Sequence, residues 1–452
     1  MASDLQLQER SLRLDYSDGA GMDCIEIVPT ARIASMHAVP GSKSYTNRAL
    51  TIAALARGTS TLRGALASDD TRVARDALAH LGVVVTEDGT TFTVHGQQGH
   101  FTVPSQSLFL GNSGTTTRFF TAMLTLAGFP CTLTGNARMQ ERPIADLLTA
   151  LQQLGAEVSS IHGNGCPPVQ IGAHRLQGGT AAISGAISSQ FLSALLMAAP
   201  YATRDVTLVV QDTLVSVPYV DMTLDIMARF GVEVTNEAYR RFVIRGQQSY
   251  IGRDYEVEGD ASAATYFWGL AALLGQQICV TNIPPTSVQG DLRFLQVLER
   301  MGCTVSRAAG WCVTGPPQLR PLGTIDLNAL PDAAMTVAVL AAFCHGETRL
   351  CNLANLRVKE TDRLHALATE LRKLGAAVTE LPDGLYIGGN PAALHGAEIA
   401  TYDDHRMAMC FGMAGVRLPG MRIQHPACVT KTYPGFWDDL QSLGVQVKRM
   451  AA

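Results

Sequence analysis

The 452-residue sequence has little charge, few aromatic residues and no long apolar run. Charged residues make up 16% of the chain and aromatic residues 6%. No stretch of about 18 residues is apolar and free of both charge and glycine, so we expect no membrane-spanning helix. The net charge is −4 and the basic residues do not form runs, which argues against a nucleic-acid-binding surface.

The ten cysteines lack the spacing of metal sites and redox motifs. They include no Cys-x-x-Cys pair, and the histidines show no ligand spacing either, so we predict no metal site. Residues 1–22 are polar and contain no apolar segment resembling an export signal, and we expect them to form a loose extension. The cysteines are therefore expected to be reduced thiols in a cytoplasmic protein.

What the sequence does contain is a repeat of about 72 residues, present in six copies. Each copy ends in a helical pattern, a glycine, two variable residues and a valine, as in Leu374-Gly375 before Val378. A glycine just after the last helical turn, followed by an apolar strand, predicts a left-handed helix C-cap. A period of this length indicates one supersecondary unit used repeatedly. The glycines, which lie 73, 76, 71, 73 and 69 residues apart, are Gly82, Gly155, Gly231, Gly302, Gly375 and Gly444.

Each copy begins with turn and capping residues, followed by a helix rich in Ala, Leu and Met. Four of these first helices (49–55, 191–199, 263–274 and 335–343) are apolar nearly all round and should be buried. We predict that each unit runs as capped helix, strand, polar connection, second helix, glycine and strand. A chain of this length needs two or three domains. The polar residues of the openings differ between copies, as a site shared by several helix N-termini would require.

Single cations stand at the joints of the repeats. Helix N-termini carry partial positive charge and free N–H groups, so several that converge form an anion site. Arginine forks suit phosphate and carboxylate groups. We therefore expect a small, multiply anionic, phosphorylated ligand. The cations at the joints are Lys43, Arg48, Arg118, Arg142, Lys359, Arg363, Arg406 and Lys431.

Two carboxylates and one polar cluster have alternative interpretations. Asp332 follows Pro331 at a helix start, where N-capping alone would explain it. Glu360 could form a surface salt bridge with its neighbouring cations, and residues 188–190 could cap a helix or bind a polyol or phosphate. If Asp332 and Glu360 both face the anion site, they are the natural acid and base.

Eight motifs resemble those of the 5-enolpyruvylshikimate-3-phosphate synthases, a family of enolpyruvyl transferases, in the same order and from about residue 25 to 447. The resemblance implies an α/β fold: a two-domain inside-out α/β barrel of six βαβαββ repeats, three per domain, with pseudo-threefold symmetry. It also implies a discontinuous domain of residues 1–36 and 257–452 and an inserted domain of residues 37–256. The motifs are Pro40-Gly41-Ser42-Lys43-Ser44, Gly111-Asn112-Ser113-Gly114-Thr115, Arg138-Met139-Gln140-Glu141-Arg142-Pro143-Ile144, Ser188-Ser189-Gln190-Phe191, Gly259-Asp260-Ala261-Ser262, Pro331-Asp332-Ala333-Ala334, 358–363 and 402–409.

The resemblance implies transfer of the enolpyruvyl group of phosphoenolpyruvate to the 5-hydroxyl of shikimate 3-phosphate. The reaction, a step of the shikimate pathway to chorismate and the aromatic amino acids, passes through a tetrahedral intermediate that eliminates phosphate. Asp332 would take the 5-hydroxyl proton and Glu360 would protonate the methylene carbon, with Lys43 as a third catalytic residue. We expect a monomer that uses no cofactor and binds neither nucleic acid nor membranes, with glyphosate as a candidate inhibitor.

The same resemblance assigns two sets of binding residues. Tyr219 would pack beside the shikimate ring. The residues implied to bind shikimate 3-phosphate are Lys43, Ser44, Arg48, Ser188, Ser189, Gln190, Ser216, Asp332, Asn355 and Lys359. Those implied to hold phosphoenolpyruvate are Lys43, Gly114, Arg142, Gln190, Arg363, Arg406 and Lys431.

One loop departs from the commoner family form, Gly-Asn-Ala-Gly-Thr-Ala-Met-Arg-Pro. Here Ser113, Thr116, Thr117 and Phe119 replace Ala, Ala, Met and Pro, whereas Gly114 is retained. Phe119 restores an N–H and adds a ring one turn into the helix. We hypothesise that this tilts the helix, shifts Gly114 inward and reduces sensitivity to glyphosate, which is longer than phosphoenolpyruvate. Alternatively, the four changes repack together and leave Gly114 in place.

Two rival functions remain open at this stage. A sister enzyme moves the same enolpyruvyl group onto UDP-N-acetylglucosamine and shares the fold, but would not be expected to carry the 188–190 and 402–409 motifs in these forms. A non-catalytic repeat scaffold that binds a protein is the other. The paired acid and base candidates, and cations at joints rather than along one face, argue against that second rival.

Overall fold

The computed structural model describes residues 24–450, so the expectation for residues 1–22 lies outside the described range. Within residues 24–450 the chain forms six units, each containing two α-helices. The helices are α1 (Lys43–Leu55), α2 (Asp69–His80), α3 (Gly114–Leu124), α4 (Ala145–Gln153), α5 (Ser189–Ala198), α6 (Val217–Arg229), α7 (Ala261–Leu274), α8 (Phe294–Arg300), α9 (Ala334–Ala342), α10 (Arg363–Lys373), α11 (His405–Ala414) and α12 (Phe436–Ser442).

Four short strands accompany each pair of helices. The first twelve strands in chain order are β1 (Cys24–Val28), β2 (Met36–His37), β3 (Thr59–Arg63), β4 (Val85–Asp88), β5 (Thr91–His95), β6 (Leu108–Phe109), β7 (Cys131–Thr134), β8 (Val158–Ser160), β9 (Val169–Ile171), β10 (Gly179–Ile183), β11 (Val206–Val210) and β12 (Thr235–Glu237). The others are β13 (Arg241–Ile244), β14 (Asp254–Glu256), β15 (Gln277–Val280), β16 (Thr304–Ser306), β17 (Trp311–Thr314), β18 (Gly323–Asp326), β19 (Gly346–Cys351), β20 (Ala377–Leu381), β21 (Gly384–Gly389), β22 (Glu398–Ile399), β23 (Met421–Gln424) and β24 (Gln446–Met450).

The six repeat glycines follow the second helix of each unit in the left-handed region, as the sequence predicts. Their φ angles lie between 80° for Gly82 and 101° for Gly444. The preceding helices bury the predicted apolar stripe, so that Leu364, Leu367 and Leu371 of α10 are all buried. The glycine therefore lets the chain turn back at the helix end and enter the next strand.

The prediction that segments 49–55, 191–199, 263–274 and 335–343 are buried is confirmed, because every residue of these ranges except Leu274 is buried. All residues of α3, α9 and α11 are buried, and so are all but the last residue of α7. The four predicted segments are apolar nearly all round, as expected of helices that other helices and the sheets surround. The helices lie inside and the six sheets outside, which is the inside-out α/β arrangement that the resemblance implied.

Each sheet has four strands in the order first, second, fourth and third, and its first two strands are parallel. Three sheets are built entirely from residues 59–256. One of them takes its first strand from the far end of this segment, because β14 pairs with β3. In the other half of the chain, β2 is the first strand of the β15 sheet, and β1 fills the gap between β23 and β24.

Two hydrophobic cores follow from this topology. One contains residues between 45 and 257, and the other contains Ile25, Ile27, Val39 and residues between 261 and 447. The chain crosses between them twice, and the crossings pair as a β-bridge of Gly41 with Gly259. The fold is therefore a two-domain α/β fold with three units around each core. The domain boundaries at residues 37 and 257 stay a prediction.

One cysteine prediction is wrong. Cys279 and Cys312 form a disulfide, although all ten cysteines were expected to be reduced. The reason is register: β15 and β17 are antiparallel and place these two residues directly opposite each other, where paired side chains come closest. Their separation of 33 residues gives no hint of this pairing.

Within the described residues, no helix is long and apolar enough to cross a membrane.

Candidate active site

The amino ends of the buried helices meet in one cleft between the two cores. Its floor takes residues from the starts of α1, α3 and α5, from the start of α6, and from the segments that precede α9 and α10. The convergence that the repeat openings predicted is therefore observed. The residues that line this narrow pocket are Lys43, Ser44, Arg48, Thr115, Ser188, Ser189, Gln190, Ser216, Tyr219, Pro331, Asp332, Asn355 and Lys359.

Arg48 anchors the side of the pocket formed by residues 45–257. It is 1% exposed, and its guanidinium donates to Thr223 Oγ1 at 2.8 Å and to the carbonyl oxygens of Ser44 and Tyr219, both at 2.9 Å. Burial lowers the pKa of Arg48 to about 10. Because the protein already engages these donors, Arg48 shapes the pocket wall as much as it supplies charge.

The start of α5 carries the polar cluster that the sequence left ambiguous. Ser188 is the N-cap, and its Oγ accepts from the backbone N–H of Gln190 at 3.3 Å. The side chain of Gln190 instead accepts from Arg118 Nη1 and donates to Thr115 Oγ1, each at 3.2 Å. Capping therefore explains Ser188 but not Gln190, which contacts α3 across the pocket.

Arg363 connects three carboxylates beside this pocket. It is 1% exposed and donates from Nε to Asp404 Oδ2 at 2.8 Å, from Nη1 to Asp332 Oδ1 at 3.2 Å and from Nη2 to Glu360 Oε2 at 2.9 Å. Arg406 Nη2 donates to the other oxygen of Asp332 at 2.8 Å. The two candidate acid and base groups thus lie on the two Nη atoms of one guanidinium.

The alternative interpretations of the two carboxylates, N-capping for Asp332 and a surface salt bridge for Glu360, do not hold in the structure. The N-cap of α9 is Ala333, so Asp332 does not cap this helix. Glu360 forms a salt bridge, but its side chain is only 8% exposed, so the pair is not a surface one. Burial opposes ionisation of both groups. The cations Arg406 and Arg363 nevertheless lower the pKa of Asp332, and Arg363 and Arg142 lower that of Glu360.

Two arginines approach Gly114 closely at the start of α3. A Cβ on Gly114 would lie 2.2 Å from Arg118 Nη1 and 2.6 Å from Arg142 Nη2, so any side chain at this position would displace one of the two guanidinium groups. Burial lowers the pKa of both arginines, and in Arg118, where repulsion by Arg142 adds to the effect of burial, the pKa falls to about 9. Neither Nε atom has a hydrogen-bond partner among residues 24–450. Two buried, repelling cations are suited to an anion placed between them.

Lys431 completes the cationic shell from the other core. Its Nζ donates to Asp70 Oδ1 at 2.8 Å and to the Asn112 carbonyl oxygen at 2.9 Å, and lies 4.0 Å from Glu360 Oε1. Lys43 Nζ lies 3.9 Å from the other oxygen of Asp70. Asp70 therefore holds one lysine from each core at the same place.

The structure brings all the predicted site residues to this cleft. Six of them lie outside the narrow pocket and form the adjoining cluster just described, namely Gly114, Arg142, Glu360, Arg363, Arg406 and Lys431. The site residues named from the sequence omitted Arg118, Thr115 and Asp70. Arg118 was visible as a cation at a repeat joint, whereas Asp70 resembles an ordinary residue of a helix start. In the described part of the chain, no group of His, Cys, Asp and Glu could hold a metal ion.

Comparison with known proteins identifies similar chains along nearly the whole length. The EPSP synthase (3-phosphoshikimate 1-carboxyvinyltransferase) family model matches residues 27–440. The 3-phosphoshikimate 1-carboxyvinyltransferase of Sulfurovum sp. (strain NBC37-1) is 48% identical over 426 residues, which cover 93% of this chain and 99% of the relative. That of Klebsiella pneumoniae subsp. pneumoniae is 47% identical over 423 residues, covering 93% and 98%.

Two solved structures share the fold. An EPSP synthase from Acinetobacter baumannii superposes with a TM-score of 0.77 at 27% identity, covering 94% of this chain and 99% of that one. The enolpyruvyl transferase NikO from Streptomyces tendae has a TM-score of 0.78 at 20% identity, covering 96% and 100%. At that identity the second likeness concerns the fold alone.

Proposed function

Because this chain belongs to the EPSP synthase family, we propose that it transfers the enolpyruvyl group of phosphoenolpyruvate to the 5-hydroxyl of shikimate 3-phosphate and releases phosphate. The observation that supports this most directly is the contact of Arg363 with both Asp332 at 3.2 Å and Glu360 at 2.9 Å. Enolpyruvyl transfer needs a base at the hydroxyl and an acid at the methylene carbon. Two carboxylates on one guanidinium place both within the reach of one small reacting centre.

The pocket lining suits shikimate 3-phosphate. Lys43, Lys359 and the α5 start offer charge and hydrogen bonds for a phosphate. Tyr219 lines the same pocket, and its ring is proposed to pack beside the carbocycle. The remaining residues proposed for this substrate are Ser44, Arg48, Ser188, Ser189, Gln190, Ser216, Asp332 and Asn355.

The adjoining cluster suits phosphoenolpyruvate, which carries a carboxylate and a phosphate. Arg118 and Arg142 repel each other when no anion lies between them, so an anion there is favoured. The residues proposed to hold this substrate are Lys43, Gly114, Arg142, Gln190, Arg363, Arg406 and Lys431, and Arg118 joins them on the strength of its contact geometry.

The proposed reaction has two steps. Asp332 takes the 5-hydroxyl proton while the oxygen attacks carbon 2 of phosphoenolpyruvate, and Glu360 gives a proton to carbon 3. In the second step the bond between carbon 2 and the phosphate oxygen breaks, and the leaving phosphate takes the proton held by Asp332. A proton of the carbon 3 methyl group returns to Glu360, so both carboxylates regain their starting states. The cations that keep Glu360 ionised in the free site are neutralised in part by the bound phosphate and carboxylate. Binding of phosphoenolpyruvate therefore raises the pKa of Glu360 and lets it carry the proton that the first step requires.

The remaining expectations follow the same proposal. One chain supplies every residue of the site, so a monomer is sufficient for activity, and size-exclusion chromatography with light scattering tests this. We propose that the two cores are domains, with the inserted one spanning residues 37–256, that the enzyme works in the cytoplasm, and that glyphosate occupies the phosphoenolpyruvate side.

Phosphate release is the decisive measurement. The enzyme is incubated with phosphoenolpyruvate and either shikimate 3-phosphate or UDP-N-acetylglucosamine, with an acceptor-free reaction as control. We expect phosphate release when the acceptor is shikimate 3-phosphate and none when it is UDP-N-acetylglucosamine. Mass spectrometry should detect the enolpyruvyl ether of shikimate 3-phosphate as the second product. Release only with UDP-N-acetylglucosamine would assign the sister activity, and no release with either acceptor would refute enolpyruvyl transfer.

A further inference from the structure

A second buried aspartate lies next to Asp332. Asp291 belongs to the turn Gly290–Arg293 that precedes α8 and is 4% exposed. The hydroxyl of Tyr219 lies 3.2 Å from Asp291 Oδ2 and 3.2 Å from Asp332 Oδ2. Ser262 also donates to Asp291 Oδ2. Asp291 Oδ1 is buried and has no hydrogen-bond partner among the described residues.

One hydroxyl group cannot satisfy two ionised carboxylates. Tyr219 has a single proton to donate, so one of the two carboxylates would face its lone pairs instead. The three groups form a complete chain of hydrogen bonds only when one carboxyl group carries a proton and donates it to the Tyr219 oxygen. The geometry therefore suits a state in which Asp291 and Asp332 together carry one proton, rather than the state in which both are ionised.

The surrounding charges decide which group is ionised in the free site. Asp332 faces the cations Arg406, Arg363, Lys359 and Lys43. Asp291 faces Asp332 and Asp260 as well as Arg406, with Ser262 as its hydrogen-bond donor. Burial, followed by the nearby charge of Asp332, raises the pKa of Asp291 to about 6. Near neutral pH both groups are therefore ionised, and the extra proton is absent.

The proposed reaction supplies that proton. When Asp332 takes the 5-hydroxyl proton, it can donate to the Tyr219 oxygen, and the Tyr219 hydroxyl can donate to ionised Asp291. The proton stays on Asp332 while the Tyr219 hydrogen bond turns toward Asp291, so the step needs no other reactant. The hydrogen bonds through Tyr219 to Asp291 stabilise protonated Asp332. They therefore offset the effect of Arg363 and Arg406, which lower the pKa of Asp332 and would otherwise make it a weak base.

We propose that Asp291, acting through Tyr219, is a positioning residue that stabilises the protonated form of Asp332 during enolpyruvyl transfer. The proposal rests on the proposed function for the role of Asp332. Asp291 itself does not line the substrate pocket, so its removal is expected to change kcat and to leave the KM of both substrates nearly unchanged.

The variant Asp291→Asn tests this. Its amide can donate permanently to the Tyr219 oxygen, which turns the Tyr219 proton toward ionised Asp332 and favours the wrong state of the base. We expect kcat to fall about 10-fold, the effect of losing one charge-assisted hydrogen bond. The wild-type kcat should rise with pH through about 6 as Asp291 ionises, and Asp291→Asn should lack this inflection.

The matched control is Asp439→Asn. Asp439 is a partly buried aspartate that, like Asp291, accepts from a tyrosine, here Tyr433, and burial raises its pKa as well. It lies outside the cleft lining, so this variant should keep the wild-type kcat and its inflection near pH 6. The same loss of inflection in the control would overturn the proposal, because it would reflect a general response to removing a buried carboxylate.

Two further measurements keep the proposal falsifiable. Tyr219→Phe should also remove the inflection, and Asp291→Asn should cost no further kcat in that background. Carboxyl titration of the ligand-free protein by carbon-13 NMR should show a group near pH 6 that Asp291→Asn lacks. This readout needs no catalysis, so it separates failure of the proposal from failure of the proposed function. An unchanged kcat and pH profile in Asp291→Asn would overturn the proposal, even if the thermal stability of that variant changed.

Discussion

Arg138 and Lys359 join the two cores at the edge of the cleft. Arg138 donates from Nη2 to the main-chain carbonyl oxygen of Lys359 at 2.9 Å, and from Nε to the same oxygen at 3.2 Å. Lys431 and Asp70 form a second link at 2.8 Å. These contacts exist only when the cores approach each other, and the paired crossing of Gly41 and Gly259 lies at the point where the chain connects them.

Ligands are therefore expected to compact the protein. Shikimate 3-phosphate should reduce the radius of gyration, and phosphoenolpyruvate or an analogue should reduce it further, because both contact cations from both cores. Small-angle scattering measures this. Arg138→Ala removes a closing contact without touching the pocket lining, and should raise the KM of both substrates and weaken the compaction. A radius of gyration that ligands leave unchanged in the wild type would contradict closure.

Asp332→Asn and Glu360→Gln should each reduce turnover by roughly 10²–10⁴ because each removes a proton acceptor or donor from the reaction. Both substitutions keep the side-chain shape, so the thermal midpoint should change far less than the rate. Turnover and thermal unfolding are measured on the same preparations. A variant with near-normal turnover would remove its residue from the mechanism.

Binding of shikimate 3-phosphate should weaken above pH 8. Burial lowers the pKa of Lys359 to about 8, although Asp332 opposes this shift. Raising the pH through this value removes the lysine charge from the free enzyme, so affinity for an anion should fall by up to about tenfold per pH unit. Isothermal titration between pH 7 and 9 measures this. Lys359→Arg stays charged and should flatten the profile. A wild-type affinity that is constant over this range would rule out Lys359 as the titrating group.

The substituted loop at the start of α3 is expected to reduce glyphosate sensitivity. Thr116 contacts Ser113 at 2.8 Å and Asn47 at 3.4 Å, and the buried Phe119 ring packs under Arg48 at 5.3 Å. The contacts with Asn47 and Arg48 tie α3, which begins at Gly114, to α1. We expect Gly114 to lie slightly further inward than in the commoner family form, which would penalise the longer inhibitor more than the substrate.

The triple variant Thr116→Ala, Thr117→Met, Phe119→Pro tests the loop. The ratio of the glyphosate inhibition constant to the phosphoenolpyruvate KM should be lower in this variant than in the wild type. If the ratio does not fall, the four changes repack without moving Gly114, and the loop does not set sensitivity.

Local sequence signals predicted the units of the fold. Gly82 and the five glycines that correspond to it mark helix ends because a left-handed C-cap is a property of a few neighbouring residues. The buried first helices were visible because α9, for example, has no polar face. By contrast, the pairing of β14 with β3 and of Cys279 with Cys312 depends on register between distant segments, and no local pattern encodes it.

The site was predictable to a similar extent. Cations at repeat joints indicated an anion site, and motifs supplied the names of most residues. Asp332 stayed ambiguous because a residue before a helix reads as a cap, and only the contacts of Arg363 and Arg406 distinguish the two interpretations. Asp70 and Asp291 were missed because each is one ordinary acidic residue in sequence, and its importance comes from partners that lie far away in the chain.

In two sheets the first strand comes from the other side of a crossing between the cores: β14 pairs with β3, and β2 pairs with β15. This arrangement has a consequence for how such a chain can arise. If residues 42–259 were excised, β2 would lead directly into α7 and β15, and the unit around that sheet would read without interruption. The excised piece holds all twelve strands of its own three sheets, but begins with a helix and ends with the strand that belongs before it, so it is a circular permutation of three units. Its two ends lie side by side at the bridge between Gly41 and Gly259. A gene that encodes three units can therefore give rise to a six-unit chain if a circularly permuted copy of it is inserted at one point, here between β2 and α7.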